Sequence, residues 1–328
     1  MTYSLDNIDR RILYELDKNC RISDNKLAKI VKRSRETVRN RINKLVKYNI
    51  IQGFITSINP SKVGYLFFKL YFQLANKPQE RKRFFRYFKN LPGIYWFGSN
   101  DGIWDFHGTL YAKTLEDFNI IKNNLNTEFK DLILNRQFGV LLSVKQFSKR
   151  YLLPKIIERA QPTLYAGELQ QNKLDDIDIR ILNVLSNNAC IPLVNLAQEI
   201  KSTVSIVRTR MKRMEEKGLI MQYRIAIDHS KLGLEYFKAF IYFENLTHET
   251  EMKLLEYAHN HKEIVLLIRQ LSAWDIELEI MAENYESFNR IMDDIRLEFS
   301  NVIRNYEFVL MREDVWYFGE KKVFSDAI

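Results

Sequence analysis

Leu5-Asp6-Asn7-Ile8-Asp9-Arg10-Arg11-Ile12-Leu13, near the start of the chain, returns 169 residues later as Leu174-Asp175-Asp176-Ile177-Asp178-Ile179-Arg180-Ile181-Leu182. The match runs on without a gap: of the 60 positions from Leu5 to Gly64, 21 are identical to their counterparts. Unrelated sequences agree at only a few. Past the first strand the offset becomes 170, pairing Ile94 with Ile264, Trp104-Asp105 with Trp274-Asp275, and Glu116 and Phe118 with Glu286 and Phe288. A repeat on this scale is a duplicated domain unit, not the short period of a solenoid.

Each copy has two parts. In the first, Asp6 caps a helix with Asp9 near the capping-box position, and Ile8, Ile12, Leu13 and Leu16 share one face. Ser23 caps a second helix carrying Leu27, Ala28 and Val31; Ser34 caps a third carrying Val38, Ile42 and Leu45. Three short helices followed by Ile50-Ile51-Gln52-Gly53-Phe54 read as a winged helix-turn-helix. The second part reads strand, helix, strand, strand, helix, strand: Tyr65 to Leu74, Gln79 to Asn90, Ile94 to Gly98, Trp104 to Tyr111, Thr114 to Phe129 and Ile133 to Val144, with Asn100-Asp101-Gly102 as a turn signal. A four-stranded antiparallel sheet with both helices on one face leaves an apolar face that packs on a second such sheet. The other copy supplies it.

The expected architecture is therefore α+β: two winged helix-turn-helix domains and two ferredoxin-like (βαββαβ) sheet domains forming an intrachain pseudo-dimer. Domains are expected at 1–60 and 61–147, then, after a linker at 148–173 with a helix over Lys155 to Ala160, at 174–229 and 230–328.

Composition sets the function classes. The 328 residues carry 50 Lys plus Arg against 41 Asp plus Glu, a net charge of +9, and two cysteines are too few for a disulfide framework. The start of the chain has no apolar core of signal-peptide length, and the most apolar run, Tyr65 to Phe72, is short and interrupted by Lys69. A cytoplasmic protein with no membrane partner is expected. The charge divides unevenly: residues 1–170 hold 30 basic and 15 acidic groups, residues 171–328 hold 20 and 26. The first half is suited to a polyanion.

These residues resemble the Lrp/AsnC family of prokaryotic transcription regulators, present twice in tandem. The family's opening pattern is matched by Leu5-Asp6, Asp9 and Ile12-Leu13, its second helix by Leu27-Ala28, its recognition helix by Ser34, Val38, Arg41, Ile42 and Leu45, its wing by Ile51, Gly53 and Phe54, and its sheet-domain turn by Gly102-Ile103-Trp104-Asp105. There are departures. Lys32-Arg33 stands where the family has Gly-Leu, and copy two has Pro192 for Ser23, Thr203 for Ser34, and Met211 and Met214 for Ile42 and Leu45.

With Val38, Ile42 and Leu45 buried, the third helix turns Glu36, Asn40, Asn43 and Lys47 outward, flanked by Arg35, Arg39 and Lys44. Asn side chains match adenine, arginines guanine or phosphate, and Lys32, Arg33, Ser34 and the helix N-terminus suit phosphates. Arg41, beside the buried stripe, braces the domain. A charged outward face is also what any solvated helix shows, but residues 26–47 hold nine basic groups and one acid, against five and three in the equivalent 195–216. Double-stranded DNA is thus the expected partner of the first helix; Arg208, Thr209 and Lys212 are weaker candidates in the second.

The basic helix with Arg81, Lys82, Arg83, Arg86 and Lys89 opposes a counterpart with Glu249, Glu251 and Glu256. It reads as a solvated face, an accessory DNA contact, or a surface for pairing chains. The resemblance implies self-association into homo-oligomers, nucleoid association, and an amino-acid or similar effector near Asn100, Asp101, Gly102 and Asp105, although Asn-Asp-Gly is also ordinary turn chemistry. No phosphate loop and no metal-spaced Cys or His cluster is present in the sequence, so no catalytic residue, metal or cofactor is expected and the chain reads as a non-enzyme. Two alternatives remain: a low-specificity, chromatin-like DNA organiser, and a siroheme-decarboxylase-like enzyme of the same architecture. The second lacks a His in Ile94-Tyr95-Trp96-Phe97 and Ile264-Val265-Leu266-Leu267; His107 reads as core or interface.

Overall fold

The computed structural model describes residues 3–154, 161–315 and 322–324; the helix expected over Lys155 to Ala160 lies outside them. Copy one runs α1 (Asn7–Lys18), α2 (Asp24–Val31), α3 (Arg35–Lys47), β1 (Ile51–Ile58), β2 (Leu66–Leu74), α4 (Pro78–Asn90), β3 (Ile94–Gly102), β4 (Phe106–Ala112), α5 (Leu115–Glu128) and β5 (Ile133–Gln146). A short strand, β6 (Thr163–Ala166), follows within the stretch read as linker. Copy two repeats the order as α6 (Asp176–Asn187), α7 (Leu193–Glu199), α8 (Val204–Glu216), β7 (Ile220–Ile227), β8 (Glu235–Phe243), α9 (His248–Asn260), β9 (Ile264–Leu271), β10 (Ile276–Ala282), α10 (Tyr285–Glu298) and β11 (Ile303–Val315).

Local chemistry explains the helix starts. Asp6 with Asp9, and Asp175 with Asp178, form reciprocal capping boxes. Ser23, Ser34 and Thr203 each accept the backbone N–H three residues on, whereas Pro192 makes no side-chain cap. Lys32, at the family's glycine position, adopts the left-handed conformation all the same, at φ 54°, and Lys201 repeats it at φ 52°.

The strand after α3 does not fold back into a hairpin of its own copy. β1 pairs antiparallel with β7, setting Ile55 opposite Arg224, so β7 lies against α1 and β1 against α6. Cys20 N donates to Tyr223 O and Ala189 N to Phe54 O across the two copies. The helical domains thus share one ribbon and one core.

Below the ribbon, the sheet domains have strand orders β3-β4-β2-β5 and β9-β10-β8-β11. β5 also pairs with β9 and β11 with β3, closing eight strands into a ring, and β6 adds to β5 where β2 has ended. Period-two alternation sorts the faces. Phe68, Leu70, Phe72 and Leu74 lie under α4 and α5 with Phe84, Phe88, Leu125 and Phe129; Phe237, Ala239 and Ile241 lie under α9 and α10. The alternate residues enter the ring.

That interior departs from the apolar face expected. Tyr71, Trp104, Phe240, Trp274 and Val309 are joined there by Lys69, Lys238, His107, Glu277 and Glu279, all essentially buried. Lys69 and Lys238 are repeat equivalents, while His107 and Thr109 of copy one correspond to Glu277 and Glu279 of copy two. Glu277 lies 3.1 Å from Lys238 Nζ and 3.5 Å from Lys69 Nζ, and accepts from Trp274 Nε1 at 3.1 Å, from Gln270 and from Tyr71 of the other copy. Burial alone would push its carboxyl up; the two ammonium groups more than offset this and hold it at about 2. Burial brings Lys69 down to about 8, against the pull of Glu277. Neither nitrogen of His107 has a hydrogen-bond partner, and burial, then Lys238 and Lys69, keep it neutral far below its usual range.

His107 generates a pH prediction. The unfolded chain takes up a proton at this residue near pH 6.5 that the folded chain refuses, so its contribution is intact above that pH. Below it, stability falls by about 1.4 kcal/mol per pH unit until the folded group titrates. In urea unfolding between pH 7 and 5, His107→Gln should reduce the slope of stability against pH by about one proton's worth; an unchanged slope would contradict a buried neutral His107.

Candidate nucleic-acid interface

On α3, Val38 and Leu45 are fully buried and Ile42 half-buried. This orientation leaves Arg35, Glu36, Arg39, Asn40, Asn43, Lys44 and Lys47 exposed along one side, with Lys32, Arg33 and Ser34 exposed at its start. Ser34 Oγ accepts from Thr37 N at 3.1 Å, so the hydroxyl serves first as the cap. Arg35 lies 3.7 Å from Asp24, and Arg33 donates to Lys32 O at 2.8 Å. Arg39, Lys44 and Lys47 make no ion pair among the described residues. Arg41 is turned inward: Nη1 donates to Asp6 at 2.8 and 2.9 Å and to buried Asp9 at 2.8 Å, tying α3 to the capping box of α1.

Copy two repeats the brace and spends more charge on it. Arg210 donates to Asp175 and Asp178 as Arg41 does in copy one. Arg213, the counterpart of exposed Lys44, also turns onto Asp178. Lys212 is 3.7 Å from Glu216, which replaces Lys47. Arg208, Thr209 and Lys212 are exposed. The sequence difference between the two segments therefore widens at the surface, because internal pairing removes more of copy two's cations.

On α4, Arg81 pairs with Asp105 at 2.9 Å and donates to Ala75 O, and Arg83 pairs with Glu80 and Glu128. Lys82, Arg86 and Lys89 remain exposed.

The four residues named for an effector do not converge. Asn100, Asp101 and Gly102 extend β3 instead of forming a turn, because β11 of the other copy continues the ladder opposite them. Asn100 is 6% exposed, turned inward, and neither atom of its side-chain amide is paired. Asp101 is exposed beside Arg312 of copy two. Asp105 is occupied by Arg81 and by Leu74 N at 2.7 Å. The sequence reading missed the interior group of Lys69, Lys238, Glu277 and Glu279. The available signal was a lysine at the same repeat position in both inner strands. No cluster of three or more metal-ligating side chains occurs among the described residues. No helix among them is long and apolar enough to cross a membrane.

Comparison with known proteins identifies the two helical domains. Residues 5–46 match the AsnC-type helix-turn-helix domain and residues 174–221 a winged helix-turn-helix DNA-binding domain. The HTH-type transcriptional regulator LrpB of Bacillus subtilis is 30% identical over 129 residues, covering 39% of this chain and 85% of that protein. The transcriptional regulator AzlB of the same organism is 30% identical over 37% of this chain and 78% of that protein. The crystal structure of the siroheme decarboxylase NirDL covers 98% of this chain and 95% of its own, with TM-score 0.62 and 14% identity. That likeness is one of fold, and it corrects the expectation of a non-enzyme: an enzyme is built on this whole-chain architecture, so the exclusion of catalysis drawn from the sequence does not stand. The duplicated pattern, the two helix-turn-helix matches and the coverage of LrpB together place the chain in the Lrp/AsnC family of transcription regulators, with two family units in one polypeptide.

Proposed function

We propose that the protein is a DNA-binding transcription regulator whose single chain supplies a pseudo-dimer, and that it contacts double-stranded DNA chiefly through α3. The supporting observation is the exposed row of Arg39, Asn40, Asn43, Lys44 and Lys47, set against an α8 whose cations are drawn into internal pairs. Arg39 and Lys44 suit phosphate or guanine, and the two asparagines suit adenine edges. Such a protein works where the DNA lies, in the cytoplasm, and self-association of the chain belongs to the same reading. A chromatin-like organiser differs in its readout: a steep salt slope with little discrimination between sequences.

Modulation by a small molecule such as an amino acid is part of this proposal. Its support is the exposed Asp101–Arg312 pair, one carboxylate and one guanidinium at the joint between copies. These charges complement the ammonium and carboxylate of an α-amino acid. Calorimetry with the twenty amino acids should give binding heat that Asp101→Asn diminishes; no heat with any of them contradicts an amino-acid effector.

Arg39→Ala should weaken binding to double-stranded DNA several-fold or more and lower the slope of log affinity against log salt by about one. Arg208→Ala should do less. Both side chains are exposed, so unfolding midpoints should stay close to the parent. Equal losses of DNA affinity from the two substitutions would overturn the asymmetric arrangement.

A further inference from the structure

Both cysteines of the chain lie where the two helical domains meet. Cys20 sits in the turn from α1 to α2 and Cys190 in the turn from α6 to α7. They are not repeat equivalents: at the offset of 169, Cys20 corresponds to Ala189 and Cys190 to Arg21. The hydrogen bonds support that alignment. The side chain of Asn19 accepts from Arg21 N at 2.9 Å, and that of Asn188 accepts from Cys190 N at 3.2 Å.

The two turns face each other across the pseudo-twofold axis, and one contact is made twice with different atoms. On one side Arg21 Nη1 donates to Ala189 O at 2.6 Å; on the other Cys190 Sγ donates to Cys20 O at 3.0 Å. An arginine and an alanine serve the fold on the first side, so the backbone does not demand two sulfurs on the second. Their presence there brings thiol against thiol, with a hydrogen bond between the two side chains. The thiols differ in environment. Cys20 is 6% exposed, whereas Cys190 is only half-buried. Arg21 brackets Cys190, since its guanidinium donates to the carbonyls of Ala189 and Ile191 on either side. The bond with Cys20, and then this positive charge, bring the Cys190 thiol below its usual range in spite of burial. The same bond, and then burial, push the Cys20 thiol up. A reachable cysteine that ionises readily, beside a buried thiol, has the features of an attacking and a resolving pair.

We propose that Cys20 and Cys190 form a peroxide-responsive pair that closes into a disulfide between the two helical domains. The Cys190 thiolate attacks one oxygen of hydrogen peroxide; the O–O bond breaks, the other oxygen takes up a proton and leaves as water, and Cys190 becomes a sulfenic acid. The Cys20 sulfur then attacks Cys190 Sγ. The S–S bond forms as the S–O bond breaks, and the hydroxyl leaves with the Cys20 proton as a second water. Two thiols lose two electrons and the peroxide gains them. The bond ties the α1–α2 turn to the α6–α7 turn, and so fixes against each other the two bodies that carry α3 and α8. Such a bridge is conditional: a reducing compartment keeps it open until an oxidant arrives. The site stands whether or not the chain binds DNA.

The test takes the full-length protein, reduced, exposes it to stoichiometric hydrogen peroxide, and alkylates it with N-ethylmaleimide in denaturant before intact-mass and peptide mass spectrometry. The parent should lose two hydrogens, take up no maleimide, and yield a peptide pair linking Cys20 to Cys190 within a monomeric chain. Dithiothreitol should restore both maleimide sites. Cys20→Ala, which installs the residue that copy two carries at this position, should stop at a sulfenic acid on Cys190 that dimedone labels. Cys190→Ser, with a parent-like circular dichroism spectrum, should react with peroxide at least tenfold more slowly. Two maleimide-reactive thiols after oxidation, a bridge between chains instead of within one, or an undiminished peroxide reaction of folded Cys190→Ser would each overturn the proposal.

Discussion

Every four-stranded sheet of this kind has two open edges, and an open edge presents unpaired N–H and C=O groups that another strand completes. Here each sheet completes the other: the far ends of β5 and β11, which outrun their own sheets, pair with β9 and β3. The closed ring follows from that exchange, and so does the interior. Tyr71 meets Glu277 across 206 residues of sequence because closure turns the inner faces of both copies toward one another. The ribbon above obeys the same logic, since among the described residues β1 finds its ladder partner in β7 of the other copy.

Closure makes the interior a place where the copies must agree on charge. Two first copies would bring together two lysines, two histidines and no carboxylate at these positions; two second copies would bring two lysines and four glutamates. The fused chain combines two lysines with Glu277 and Glu279, a balance that neither symmetric pairing reaches. Buried ions are tolerated when they are paired and hydrogen-bonded. Fusion therefore fixes which halves meet. The surface has diverged in the same direction: α3 keeps Lys44 in solvent, and α8 turns its counterpart Arg213 onto Asp178.

Local features were legible in the sequence because local chemistry decides them. The caps at Asp6, Ser34 and Thr203, the buried stripe of Val38 and Leu45, and the inward brace of Arg41 follow from spacing alone. Pairing between copies was not legible, because strand edges carry no label for their partners. That is why Asn100 to Gly102 reads as a turn and folds as ladder, and why Gly53 and Phe54 read as a wing and fold as a shared ribbon. Lys69 looks in sequence like an interruption of an apolar run. Its meaning emerges only when Lys238 is seen at the same repeat position and Glu277 and Glu279 are brought opposite by closure.

The central claim is that two copies of one unit form a single closed body in which the first copy meets the DNA. The most direct measurement places a photocrosslinking amino acid at Asn40 or, separately, at Thr209, equivalent exposed positions on α3 and α8, and irradiates the complex with double-stranded DNA. The account predicts efficient crosslinks from position 40 and few from position 209. Equal yields from both positions, or a higher yield from 209, would contradict it.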